Sequence, residues 1–273
     1  MPSQHDARAV ARKVAARAAT AGAVRLERLG TRLRGDDAAR APAPVPSAGE
    51  APASDTPEGE GRPGGYAQWW QPTSEGEARH EILNDFDPEH FDASGRGEVG
   101  RLGPYVTPDS VVVDLGCGMG RIALYMAPLC ETLWAVDVSE QMLGYARRRM
   151  AEHKNVRYAR CADTTVPDIA DASVDFLYSI ITLQHLERED AFNLVRDVHR
   201  MLRPGGKAFL TWPNLLDDGF LESFLAYASN GESTNPARAR IYTTTELQRL
   251  LPAAGFASLE VRDEPNIVTV CTR

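Results

Sequence analysis

The sequence contains little that would bind a metal or cross a bilayer. Its four cysteines, Cys117, Cys130, Cys161 and Cys271, form no CxxC pair and no short spacing with a histidine, so they predict no metal site. We interpret them as free thiols of a reducing cytoplasm. No apolar run approaches the roughly 20 residues that span a membrane, and the N-terminus lacks the apolar stretch of a secretory signal.

Positive charge is scarce outside the N-terminus. The formal net charge is −8. Residues 1–35 carry eight Lys/Arg against two acids, a balance of +6, and residues 36–65 carry six acids against two Arg, a balance of −4. This leaves −10 for the remaining residues, and a domain of that charge repels a polyanion. The sequence therefore argues against nucleic acid as a partner.

Residues 1–40 are predicted to form a basic helical extension. Leu26, Leu29 and Leu33 recur at helical spacing, and arginines occupy much of the remaining surface. One interpretation is a solvated, partly helical tail. The other is an amphipathic helix that docks on a membrane surface or a protein partner. The Arg and Ala content also suggests a transit peptide, but the length of the segment favours an extension that is retained.

Residues 41–65 are predicted to be a disordered linker, because six prolines and five glycines leave little to bury. One folded domain is predicted at 66–273. Strands are predicted at 111–115, 133–137, 156–159, 174–180 and 207–212, helices at 121–128, 139–150 and 194–202, a capped helix after Thr243, and a hairpin of 259–261 with 267–270. This alternation predicts a doubly wound, Rossmann-like α/β fold with a seven-stranded, mostly parallel sheet and a C-terminal antiparallel hairpin.

A glycine-rich turn follows the first predicted strand. Gly116, Gly118 and Gly120 come directly after Asp114. Glycine suits the sharp turn from a strand into a helix and lets a ligand contact the main chain. The second strand ends at Asp137, where a carboxylate can accept hydrogen bonds from both hydroxyls of a ribose. The pattern predicts an adenine-nucleoside site at the carboxyl ends of the strands.

The glycine turn alone leaves the cofactor open. Gly118, Gly120 and Ala123 also fit the dinucleotide pattern GxGxxA, with Asp137 as its ribose acid. An NAD(P)-dependent oxidoreductase is therefore an alternative. It would also need a catalytic Lys, Tyr or His pair, and the sequence indicates none.

Further stretches resemble one family. Asp114-x-Gly116-x-Gly118-x-Gly120 resembles motif I of the class I S-adenosylmethionine (SAM)-dependent methyltransferases. The resemblance continues, in the order of that family, through residues 136–142, 162–163, 173–186 and 202–207, and it covers about residues 95–271. It implies an enzyme that transfers a methyl group from SAM to a small-molecule acceptor, with oxygen favoured and nitrogen or carbon open. A non-catalytic SAM-binding scaffold, recruited through the basic N-terminus, remains an alternative.

The resemblance implies a cofactor role for eleven residues. Asp137 is expected to hold the ribose hydroxyls, Asp163 the adenine amine and Asp114 the amino group. The full set is Asp114, Gly116, Cys117, Gly118, Gly120, Asp137, Val138, Met142, Ala162, Asp163 and Ser179. Arg121 is interpreted as a structural charge. No metal is implied, because no acid trio of the metal-dependent catechol type is present.

His185 is the candidate catalytic residue. It follows the fourth predicted strand, where the resembling enzymes face their substrate. There it can deprotonate an acceptor hydroxyl, or it can be a structural histidine that hydrogen-bonds its own loop.

Two aromatic regions are candidates for the acceptor side. Tyr66, Trp69 and Trp70 form either a lid over SAM or ordinary packing, and aromatic residues within 213–242 are candidates for an apolar pocket. Residues 94–96 are expected to approach the carboxylate of the cofactor. The fourth motif lacks the Asn/Asp-Pro-Pro-Tyr sequence of several amine methylators in this family, which again argues against nucleic acid.

Overall fold

The computed structural model describes residues 65–229 and 238–273. The predicted basic extension at 1–40 lies outside the described residues, as does the predicted linker except for its last residue, Gly65. Among the described residues, no helix is both long enough and apolar enough to cross a membrane.

A seven-stranded sheet lies at the centre of the described domain. Its strands are β1 (Val111–Leu115), β2 (Thr132–Asp137), β3 (Val156–Arg160), β4 (Val174–Ser179), β5 (Leu202–Pro213), β6 (Ser258–Arg262) and β7 (Asn266–Thr272). Their spatial order is β3-β2-β1-β4-β5-β7-β6. Strands β1 to β5 pair in parallel, whereas β7 runs antiparallel to both β5 and β6. The predicted Rossmann-like fold with a C-terminal antiparallel hairpin is confirmed.

Seven α-helices flank this sheet within the described residues. They are α1 (Glu75–Leu83), α2 (Pro88–Leu102), α3 (Ala123–Met126), α4 (Glu140–Arg149), α5 (Arg188–Met201), α6 (Asp218–Ser229) and α7 (Thr244–Ala253). Two predicted caps are confirmed. The Ser139 hydroxyl accepts from the N–H of Met142, and Thr243 and Glu246 form a capping box.

Two of the differences from the predicted element boundaries have a local physical cause. The helix predicted at 121–128 has one α-helical turn and then a 3-10 turn, Ala127–Leu129, because Pro128 has no N–H to continue the α-helical ladder. Strand β5 begins at Leu202, ahead of the predicted Lys207. The strand keeps its pairing with β4 through a register shift around Gly205, whose φ is +81°.

Apolar side chains cover both faces of the sheet. Val113 and Leu177 lie in a buried cluster with α5 and α7, whereas Val112 and Phe176 lie in a second cluster with α2, α3 and α4. Successive strand residues point to opposite faces, so a strand buried on both sides is apolar at nearly every position. This explains the apolar run Val111-Val-Val at the start of β1. Because β1 lies between β2 and β4, its carboxyl end is near the middle of that edge of the sheet.

Helix α2 packs very closely on the segment that follows the glycine turn. A Cβ atom at Gly95 would lie 2.1 Å from the carbonyl oxygen of Arg121, whereas nothing lies within 4 Å of one at Gly97. Gly95→Ala is expected to lower the free energy of unfolding by about 1–3 kcal/mol, because backbone must move. Gly97→Ala, in the same helix, is expected to raise it by roughly 0.5–1 kcal/mol. Urea denaturation measures both; effects of the same sign would contradict the close contact.

Candidate functional site

A cleft opens where β1, β2 and β4 end. Parallel sheets bind their ligands at this edge. Nine of the twelve predicted site residues line the cleft: Asp114, Gly116, Cys117, Gly118, Asp137, Val138, Met142, Asp163 and His185. The described residues contain no group of three His, Cys, Asp or Glu side chains that could hold a metal ion.

The other three predicted residues lie just outside the lining. The Ser179 hydroxyl is buried and donates to the carbonyl of Leu115 at 2.9 Å, which ties β4 to β1. The N–H of Ala162 donates to the carbonyl of Thr165 at 2.8 Å. A Cβ atom at Gly120 would lie 3.0 Å from Met150, so this glycine allows α4 to approach the turn. Their contact with the cofactor stays a prediction.

Strand β2 holds the glycine turn in place. The N–H groups of Gly116 and Cys117 donate to the carbonyl of Val136 at 2.8 and 2.9 Å. The N–H of Gly118 donates to the Asp137 carboxylate at 2.9 Å. All three turn glycines have positive φ, from +54° to +85°, a conformation that costs little only for glycine. The turn and the ribose-type acid are therefore one hydrogen-bonded unit.

Asp137 is positioned to accept from a ligand. Its second oxygen accepts from the N–H of Ser139 at 2.9 Å, and the side chain is 8% exposed. Burial raises the pKa of this carboxyl above its usual value, while the N–H groups of Ser139 and Gly118 oppose the rise. Each carboxylate oxygen accepts more than one hydrogen bond, so both still have room for the hydroxyls of a ribose.

Asp114 and Arg121 form a buried polar pair at the end of the turn. They are 3% and 6% exposed. The Asp114 Oδ2 atom has no hydrogen-bond partner among the described residues. Burial raises the pKa of this carboxyl to about 7, although the nearby Tyr178 hydroxyl and the Arg121 charge lower it. An unpartnered buried oxygen in a cleft is costly unless a ligand supplies a donor, and the ammonium of SAM fits this need.

Arg121, which the sequence analysis interprets as a structural charge, lies among the predicted cofactor residues. The structure places it in the cleft lining, beside Asp114, with one 3.3 Å hydrogen bond to the Ser94 hydroxyl. A guanidinium there can pair with a carboxylate of the ligand. The Ser94 hydroxyl accepts from Arg121 and Arg96 donates to the Tyr125 hydroxyl, and the approach of residues 94–96 to the carboxylate of the cofactor stays a prediction. In the sequence, the position of Arg121 directly after the glycine turn was the signal for its place in the cleft.

SAM binding is expected to depend on pH through Asp114. The raised pKa means that the carboxylate loses its charge as pH falls through about 7, so SAM affinity is expected to be about tenfold lower at pH 6 than at pH 8. Asp114→Asn should remove most of this dependence and weaken binding at pH 8. Calorimetric titration at several pH values measures it. Methylthioadenosine, which lacks the amino acid group, controls for titration of Asp137; an equal dependence for both ligands would contradict the assignment.

The raised pKa of Asp114 also predicts how the stability of the protein changes with pH. A carboxyl with a raised pKa destabilises the folded state, with no effect below the unfolded value of 3.8 and the full effect above about 7. Asp114→Asn is therefore expected to raise the melting temperature at pH 8 and leave it nearly unchanged at pH 4. A lower melting temperature at pH 8 would show that the carboxylate is paired in the folded protein.

The loop after β4 brings His185 to the cleft. A 3-10 turn, Leu183–His185, positions the imidazole. The Trp70 ring meets it edge to face, with ring centres 4.9 Å apart, and Gln184 Nε2 lies 3.3 Å from His185 Nε2. The same loop contacts the glycine turn, because a Cβ atom at Gly116 would lie 2.1 Å from the Thr182 hydroxyl. His185 therefore lies in the same cleft as the cofactor residues.

The segment before α1 lies along the same cleft. Tyr66 and Trp70 line it, whereas Trp69 is 46% exposed. The Tyr66 hydroxyl donates to the Asp190 carboxylate and accepts from the N–H of Glu187 at 3.0 Å. The Ser139 hydroxyl donates to the carbonyl of Trp70. The segment therefore packs on the core and contributes to the cleft lining, and a lid over SAM stays a prediction.

The aromatic residues within 213–242 lie outside the cleft lining. None of the described residues of 213–242 lines the cleft. Tyr242 is buried against Trp212, with ring centres 5.0 Å apart, and Phe224 is 49% exposed on α6. Arg240, in the same segment, donates from its backbone N–H to the carbonyl of Gln184 at 2.8 Å and from its side chain to the carbonyl of His185 at 3.2 Å. The segment therefore contacts the His185 loop, and an acceptor pocket formed by its aromatic rings stays a prediction.

The sequence and the fold both match known proteins. Residues 112–206 match the model of a methyltransferase domain. A probable S-adenosylmethionine-dependent methyltransferase of Mycolicibacterium smegmatis is 30% identical over 56% of this chain and 52% of its own length. A ubiquinone biosynthesis O-methyltransferase of Idiomarina loihiensis is 27% identical over 71% and 77%. The chain thus spans about half the length of the first of these relatives.

A solved structure matches the fold. A SAM-dependent methyltransferase from Aquifex aeolicus aligns with a TM-score of 0.52 and 18% identity, over 71% of this chain and 97% of that chain. The matched relatives also include N-methyltransferases. The likeness therefore leaves the acceptor atom open.

Proposed function

We propose that this chain, which matches a methyltransferase-domain model and SAM-dependent methyltransferases, is a class I SAM-dependent methyltransferase. It transfers a methyl group from SAM to a small-molecule acceptor, with oxygen as the favoured acceptor atom. One observation carries the proposal. A single cleft brings together a turn-binding carboxylate, Asp137, an unpartnered buried carboxylate oxygen on Asp114, and the imidazole of His185.

The cofactor end of the cleft is assigned from the donors that SAM offers. Asp137 accepts from the ribose hydroxyls and Asp163 from the adenine amine. Asp114 accepts from the ammonium, and Arg121 pairs with the carboxylate. The bound cofactor supplies an electrophilic methyl group on a sulfonium. The residues of the cleft hold the acceptor in line with that methyl and exclude water, and such alignment contributes roughly 7–11 kcal/mol.

The acceptor end supports a small molecule with a hydroxyl nucleophile. The cleft is a concave site that opens to solvent, as small-molecule sites are, and Tyr66 and Trp70 line it. His185 takes the hydroxyl proton as the methyl group is transferred, because a hydroxyl is a poor nucleophile until it loses that proton. The acidic charge of the domain disfavours nucleic acid as the acceptor.

The proposal also includes the cellular compartment of the reaction and the contact made by the N-terminal segment. We place it in the cytoplasm, where the four cysteines, all free and buried in the structure, stay reduced. The basic N-terminal segment is proposed as a contact for a membrane surface or a protein partner.

Calorimetric titration with SAM, S-adenosylhomocysteine and NAD tests the cofactor. Both sulfur ligands are expected to bind and NAD is not; tight binding of NAD alone would refute the proposal. Incubation with methyl-labelled SAM and a metabolite extract, followed by mass spectrometry, then identifies the acceptor. SAM binding without a labelled product in the extract would favour the non-catalytic scaffold.

A further inference from the structure

Glu81 lines the cleft, and one of its carboxylate oxygens has no hydrogen-bond partner among the described residues. It lies near the C-terminal end of α1, and its Oε2 atom is buried without a hydrogen bond. The salt bridge nearest to it in the chain, on the same helix, joins Arg79 to Glu75 at 3.9 Å and leaves Glu81 unpaired. A buried carboxylate oxygen of this kind is costly, so a function that requires it is the natural explanation.

The packing of α1 explains why Glu81 faces the cleft. A Cβ atom at Gly118 would lie 2.6 Å from the Ile82 side chain, so Ile82 packs directly on the glycine turn. Ala78, one turn earlier, is fully buried against the core. Glu81 is the neighbour of Ile82 in the chain, and the same packing turns it toward the cleft.

The donors of the cofactor are already matched by other residues. Asp137 is assigned to the ribose hydroxyls, Asp163 to the adenine amine and Asp114 to the ammonium. These assignments leave no donor of the cofactor for Glu81, and the acceptor remains as its partner.

The charge of the cleft indicates what that partner is. Among the described lining residues, Glu81, Asp114, Asp137 and Asp163 oppose the single cation Arg121. SAM brings one net positive charge, so negative charge in the cleft remains unmatched. Tyr66 and Trp70 line the same cleft, and aromatic faces together with a carboxylate favour a bound ammonium.

We propose that Glu81 is the specificity-determining residue of the acceptor site and binds a protonated amino group of the acceptor. This inference rests on the proposed function, since it assumes that the cleft also holds SAM. It gives the acceptor two features, a hydroxyl near His185 and a cationic amine at Glu81. Burial and Glu77 raise the pKa of the Glu81 carboxyl to about 7, and an adjacent ammonium favours its charged form.

Three probes of equal size test the charge preference. Benzylamine, benzyl alcohol and benzoate are titrated at pH 8 into protein saturated with S-adenosylhomocysteine. Benzylamine, protonated at this pH, is expected to bind about 10- to 100-fold more tightly than benzyl alcohol, and benzoate more weakly than either. Glu81→Gln should abolish the preference. Glu75→Gln, on the exposed side of the same helix, should keep it.

The outcomes separate this inference from the proposed function. Equal or undetectable binding of the amine and the alcohol to the wild type would overturn the inference, and so would a preference that survives Glu81→Gln. A tenfold loss of S-adenosylhomocysteine affinity in Glu81→Gln, with methylthioadenosine affinity unchanged, would assign Glu81 to the cofactor and overturn it too. Failure of the wild type to bind S-adenosylhomocysteine would instead refute the proposed function.

Discussion

Replacing Asp137 with alanine is expected to weaken the binding of SAM and S-adenosylhomocysteine by about 10²- to 10⁴-fold. Each hydrogen bond from a ribose hydroxyl to this carboxylate contributes about 1.5–3 kcal/mol, as is typical of bonds to a charged group. The carboxylate also accepts from the N–H groups of Gly118 and Ser139. Its loss therefore loosens the glycine turn as well as removing the ribose contact.

Asp168→Ala is the matched control for this change, because Asp168 is an exposed acid outside the cleft. Calorimetry measures both affinities, and circular dichroism checks that the variants are folded. Asp137→Asn should lie between alanine and wild type, since an amide keeps one acceptor oxygen but loses the charge. A folded Asp137→Ala protein that binds within fivefold of wild type would exclude Asp137 as the ribose ligand.

The second large effect is expected at His185. His185→Ala should lower the turnover number by about 10²- to 10⁴-fold, the usual contribution of a general base, while SAM affinity stays within about twofold. The geometry explains why turnover is expected to fall while SAM affinity is kept. The imidazole contacts Trp70 and Gln184, whereas the glycine turn is held by Asp137 and Val136.

A structural role for His185 makes different predictions. Added imidazole should restore part of the activity of His185→Ala if the side chain is a base, and the pH profile should lose its rising limb. A purely structural histidine gives neither result. His153→Ala, at a histidine outside the cleft, should be fully active. Wild-type turnover in His185→Ala would leave His185 only the packing against Trp70.

The cofactor end of the site was predictable because its signals are local in the chain. A strand buried on both faces is apolar throughout, so Val111-Val-Val stands out, and the glycines that follow have positive φ in the structure. Asp137 is recognised in the same way, because it ends the next buried, apolar strand. Parallel pairing of β1 with β2 then aligns the two ends, and a general property of parallel sheets places the ligand there.

The acceptor end depends on contacts between distant segments. Tyr66 reaches Asp190 and Glu187, and Ile82 reaches Gly118. Helix α1 has one fully buried residue, Ala78, so its sequence shows no strong apolar face from which its packing could be read. The aromatic residues of 213–242 looked more suitable as a pocket, yet none of the described residues of this region lines the cleft.

The sequence by itself thus determined the sheet, the glycine turn and the acids that follow strands, because these depend on backbone conformation and on a side-chain period of two. Only the tertiary structure decided that Arg121 and Glu81 share the cleft with His185. They line one cleft because of how α1 and α2 pack against the turn. Those contacts join residues far apart in the chain, and no local spacing records them.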